Sequence, residues 1–154
     1  MIELKTVLLP TDFSDFSAEA TKYACAFADQ FGAELHLLHV LDLVEAIAPE
    51  FGMGLALPSR TAVSNKAVEN ALSDVLDDAW ADSHQVVQAV VNGPPFLEII
   101  KYARKHNIDL IVMGTHGRSG LVHVLMGSVA EKVVRKAPCP VLTVRPEGHQ
   151  FVMP

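Results

Sequence analysis

The chain has 154 residues, and half of them are hydrophobic, enough for one domain with a buried core. A formal net charge of −6 argues against a broad nucleic-acid surface, and no run of 18 apolar residues is present to cross a membrane. The two cysteines, Cys25 and Cys139, make neither a CxxC nor a metal-ligand spacing.

The opening MIELKTVLLPTDFS carries acidic Glu3 and Asp12 around a short apolar run. It lacks the pattern of a secretory leader, so a cytoplasmic protein is expected. The run at residues 6–9 reads as a strand, followed by Pro10-Thr11-Asp12-Phe13-Ser14. Ala20, Ala24, Phe27, Ala28 and Phe31 then recur at helical spacing. A second apolar run covers residues 35–40, with His36 and His39 flanking Leu37-Leu38. An irregular stretch at 41–58 contains Pro49, Gly52, Gly54 and Pro58. It is expected on the carboxyl edge of the sheet, where open α/β folds bind ligands.

The clearest helical stripe is Val68, Ala71, Leu72, Val75, Leu76 and Ala79, with Trp80 completing it as a core residue. Residues 86–91 form the third strand. Pro94-Pro95 suits the first turn of a helix whose stripe is Phe96, Ile99, Ile100 and Ala103. Residues 110–113 form the fourth strand. Met126, Val129, Ala130, Val133, Val134 and Ala137 make the last helix, which stops before Pro138, and Val141–Val144 the last strand. The order βαβαβαβαβ specifies a parallel sheet with four helices on two faces, a Rossmann-like α/β fold. The expected domain is 1–146, with a short tail at 147–154.

The chemistry concentrates in Gly114-Thr-His-Gly117-Arg-Ser-Gly120 and Gly127-Ser128. Four glycines in the fourteen residues 114–127, between a strand and a helix, suit close approach of backbone to a ligand. The helix N-terminus adds unpaired amides and partial positive charge, which together make an anion site. A plainer reading is also open. Ser128-Val129-Ala130-Glu131 is a capping-box pattern, so Ser128 can serve only as a cap. The two readings differ in whether the Ser128 hydroxyl faces a ligand. No GxxxxGK[ST] is present. Asp12, at the carboxyl end of the first strand, is either a turn residue or a carboxylate for ribose hydroxyls.

These residues resemble the universal stress proteins. Pro10-Thr11-Asp12-Phe13-Ser14 is similar to that family's opening, and Gly114-x2-Gly117-x9-Gly127-Ser128 to its nucleotide signature. The stretch Ala137-Pro138-Cys139-Pro140 through Val144 resembles its closing strand. The resemblance implies a strand order 3-2-1-4-5 and a homodimer joined along Val141, Leu142, Thr143 and Val144. It also implies a site for ATP or AMP, with Mg²⁺ accompanying ATP. In that site Asp12, following Pro10 and Thr11, holds the ribose. The Val40 backbone meets adenine, and Met113 and Gly114 flank the nucleoside. Gly117, Gly127, Ser128 and Val129 hold the phosphates.

His116 is placed to touch a phosphate, and Arg118 is either a phosphate contact or a solvated arginine. His123 also lies in the glycine loop, and His84, His106 and His149 are expected at the surface. No metal pattern links them. The functional expectation is a nucleotide-binding stress regulator. The alternative is a slow ATPase or phosphotransferase, against which stand a signature without lysine and the lack of a clear base. A phospho-receiver is excluded, because residues 92–93 are Asn-Gly and residues 145–146 Arg-Pro, where its aspartate and lysine would stand.

Overall fold

The computed structural model describes residues 1–42, 60–116 and 126–145. Within them the order is β1 (Thr6–Pro10), α1 (Asp15–Phe31), β2 (Glu34–Leu41), α2 (Arg60–Ser73), α3 (Asp78–Ser83), β3 (Val86–Asn92), α4 (Pro95–Lys105), β4 (Leu110–Gly114), α5 (Ser128–Lys136) and β5 (Val141–Val144). The five strands form one parallel sheet in the order β3-β2-β1-β4-β5. Both the expected architecture and the strand order are found.

The central strands are apolar on both faces because helices cover both. Val7, Leu9, Leu35 and Val112 meet α1 and α2, and Leu8, Leu38 and Ile111 meet α4 and α5. The sheet face of α1 is built from Ala20, Ala24 and Ala28, all fully buried. Small side chains let that helix lie close over β1 and β4. The helix opens on Ser14, whose side chain accepts from the Ser17 amide, and stops at Gly32, in the left-handed region at φ 62°.

The expected stripe through Ala79 is not one helix. It breaks after Ser73, and α3 begins afresh with Asp77 accepting from the Trp80 amide. Apolar spacing runs across the break, but the Asp77 cap offers the backbone a better local alternative. Trp80 is therefore half-buried on a separate short helix. Its indole Nε1 donates to Asp29 of α1 (3.0 Å), and its ring stacks on His84 at 4.0 Å. His84 and His106 are likewise not free surface histidines. His84 pairs with Asp29 (2.7 Å), and His106 stacks on Tyr102. Burial, then His36 and Lys105, hold His106 below the ordinary histidine range.

Asp109 ties the amino end of β4 to β1. Its Oδ2 accepts from the amides of Lys5 (2.8 Å) and Thr6 (3.0 Å) and from the Thr6 hydroxyl (3.2 Å). Burial alone would raise this carboxyl, but the two amides and the hydroxyl outweigh it and hold it below the usual aspartate range. A depressed folded-state value means the contribution is present above the unfolded pKa and is lost as pH falls through the folded one. Urea titrations should therefore show stability falling from about pH 4 downward. Asp109→Asn should flatten that acid limb and leave the neutral-pH slope unchanged.

Candidate functional site

β1 pairs with β2 over five positions but with β4 only at Val7↔Leu110 and Leu8↔Ile111. Pairing between these two strands stops at Leu8, although β1 continues to Pro10 and β4 to Gly114. The unpaired stretch lies at the carboxyl end of the sheet, where the direction of winding reverses, the usual ligand position in such folds. It opens into a cavity of about 660 Å³. That volume suits a nucleotide-sized ligand.

Ten of the twelve residues expected from sequence line this cavity: Pro10, Thr11 and Asp12 after β1, Val40 in β2, Met113, Gly114 and His116 at β4, and Gly127, Ser128 and Val129 at α5. Gly117 and Arg118 lie outside the described residues, as do His123, His149 and the expected loop from residue 43 onward. Val68 and Ala71 of α2 and Ile99 of α4 add apolar walls, which sequence reading assigned only to the core.

The turn after β1 is held by its own side chains. Thr11 Oγ1 accepts from the Phe13 amide (3.1 Å), and Asp12 Oδ1 accepts from the Ser14 amide (3.0 Å). Phe13 sits at φ 64°, a left-handed conformation unusual for a bulky residue. The Thr11 amide donates to the Leu38 carbonyl (2.9 Å), and the Thr11 carbonyl accepts from His39 Nδ1 (2.8 Å). Asp12 is thus a turn residue that also lines the cavity, and the two sequence readings of it are compatible.

At α5 the capping question is resolved. The cap is Gly127, with no side-chain cap bond, and Ser128 is the first helical residue, exposed. Its hydroxyl is not used as a cap. Gly127 has φ −67°, open to any residue, so its place is not explained by a left-handed backbone. Its amide donates to the Thr115 carbonyl (2.6 Å) and is therefore committed to bracketing the loop rather than presented to the cavity. The amides of Ser128 and Val129, in the first turn, have no preceding helical carbonyl to bond. They carry the positive end of the α5 dipole toward the cavity.

His116 Nδ1 lies 2.9 Å from Thr115 Oγ1, and its ring packs 5.7 Å from Phe16. Gly114 is explained by packing. A Cβ there would stand 2.8 Å from the Phe16 carbonyl oxygen.

Val40 owes its position to strand alternation. The Leu38 carbonyl accepts from β1's side, and the Leu41 carbonyl accepts from Gly93 on β3's side. Residues 38 and 40 therefore share an orientation, and the Val40 amide and carbonyl point toward β1 after β1 has ended.

Among the described residues, no helix is long and apolar enough to cross a membrane, and no cluster of three or more His, Cys, Asp or Glu is arranged to hold a metal.

Comparison with known proteins adds independent findings. Universal stress protein MJ0531 of Methanocaldococcus jannaschii is 39% identical over 144 residues, covering 92% of this chain and 82% of its own. Universal stress protein MJ0577 of the same organism is 33% identical over 153 residues, covering 92% and 94%. The solved MJ0577 structure superposes with a TM-score of 0.75 at 32% identity, covering 96% and 99%. A universal stress protein crystallised in complex with cAMP shares the fold, with a TM-score of 0.69 at 23% identity, covering 95% and 100%. The model of the universal stress protein family matches residues 3–145, a span that takes in both the turn after β1 and the start of α5. By fold, by matched span and by these relatives, the chain belongs to the universal stress protein family.

Proposed function

We propose that this protein binds an adenine nucleotide, ATP or AMP, in the cavity at the carboxyl ends of β1 and β4. It would act as a regulatory homodimer in the stress response. The observation that carries this reading is the coincidence of three ligand-ready features around one cavity. The Val40 amide and carbonyl face it, the Asp12 carboxylate lines it, and the start of α5, which has no side-chain cap bond, borders it. Their chemistry matches base, ribose and phosphate in turn. A fold neighbour crystallised with cAMP supports the capacity of this fold for an adenine nucleotide.

The dimer would form along β5. That strand lies at one edge of the sheet, and Val141, Leu142 and Thr143 are only half-buried in the single chain. Pairing with a second copy would remove the exposed edge.

Small molecules released from the purified protein should contain an adenine nucleotide by mass spectrometry. Recovery of another ligand class, or failure to bind added ATP and AMP, would overturn the reading. Base preference follows from the orientation of Val40. An amide donor beside a carbonyl acceptor complements adenine N1 and its amino group, whereas guanine presents a proton at N1 and an oxygen at position 6. AMP should therefore bind about 10–100-fold more tightly than GMP in calorimetric titrations. Val40→Ile should preserve that ratio, because the backbone does the reading.

A further inference from the structure

The Val40 amide lacks the backbone partner that its place in the ladder would ordinarily give it. In a regular parallel ladder the Thr11 amide donates to the Leu38 carbonyl, and the next bond returns from the Val40 amide to the Thr11 carbonyl. The first of these bonds is present, at 2.9 Å. The second is not, and no backbone bond joins Val40 to Thr11. The Thr11 carbonyl instead takes its hydrogen bond from the imidazole of His39, Nδ1 to oxygen at 2.8 Å.

A carbonyl oxygen can only accept, so Nδ1 carries the proton. Thr11 and His39 are both buried, at 6% and 4% exposure, so water is a poor substitute donor. The ring is held in place by Phe13, packed 4.4 Å from it. From this geometry we infer that His39 is a positioning residue for base recognition. By satisfying the Thr11 carbonyl, it prevents the β1–β2 ladder from closing over Val40 and keeps that amide available to adenine N1.

This rests on the nucleotide reading above and deepens it. Without a donor at position 39, the buried Thr11 carbonyl must find another, and the nearest in register is the Val40 amide. The base would then lose its N1 partner, although the cavity and the phosphate end are unchanged.

The test compares AMP with 1-deaza-AMP, in which N1 is replaced by C–H, across four proteins. The wild type should prefer AMP by about tenfold, the worth of one well-placed hydrogen bond. In His39→Leu the ratio should collapse toward one, with AMP binding weakened. In His39→Asn it should be kept, because the asparagine Nδ2 overlies histidine Nδ1. In His39→Gln it should collapse, because the glutamine Nε2 overlies histidine Nε2 instead. Mere loss of packing would not separate asparagine from glutamine in this order.

Equal discrimination in the wild type and His39→Leu would overturn the inference. So would a wild type that binds AMP without preferring it over 1-deaza-AMP, an outcome that leaves the nucleotide reading standing. A wild type that binds neither compound removes the nucleotide reading itself.

Discussion

Gly114→Ala is expected to destabilise the fold by about 2–3 kcal/mol, the usual cost of forcing an extra carbon into a packed site. The added Cβ would meet the Phe16 carbonyl oxygen at 2.8 Å and its carbon at 3.1 Å. Both are backbone atoms in the first turn of α1, so neither can rotate away as a side chain would. Relief requires α1 to move off the end of β4. That movement would disturb Thr115, whose amide donates to Val144 and whose carbonyl accepts from Gly127. Thermal unfolding should fall by roughly 5–10 °C for a domain of this size. Nucleotide binding should weaken with it, because the same shift displaces the start of α5. A melting temperature within a degree of wild type would show that Gly114 is not held by this contact.

The second large effect is expected at Asp12, where two variants separate the turn from the ligand. Asp12→Asn retains an Oδ1 that can accept from the Ser14 amide, so the turn and the melting temperature should be preserved. It loses the anionic acceptor offered to ribose hydroxyls. Hydrogen bonds to a charged group contribute about 1.5–3 kcal/mol, so AMP affinity should drop on the order of 10–100-fold. Asp12→Ala removes both functions and should lower affinity at least as far, with a measurable loss of stability. Calorimetric titration beside thermal melts gives both readings. Unchanged affinity in Asp12→Asn would mean that the carboxylate serves only the turn.

The sheet was legible because burial on both faces writes strands as unbroken apolar runs. Residues 110–113 are an example, and β4 is buried through Met113. The division between α2 and α3 was not legible from periodicity, since Val68 through Ala79 keeps its spacing across the break. The Asp77 cap was the available signal. At the site, the glycine pattern located the cavity but not the work of each glycine. Gly114 answers a backbone contact from α1, and Gly127 is a cap with an ordinary φ, both properties of the tertiary arrangement. The role of His39 was hidden for a similar reason. It depends on where β1 ends against β2, a matter of register that no local spacing encodes.

The most direct test is a titration of isotopically labelled protein with AMP, followed through backbone amide resonances. Saturable shifts at Val40, Ser128 and Val129, appearing together at one dissociation constant, are the expected result. They would place base and phosphate in the cavity at the carboxyl ends of β1 and β4. Shifts centred on other residues, or none at concentrations that saturate other adenine-nucleotide proteins, would contradict the assignment of this cavity as the nucleotide site.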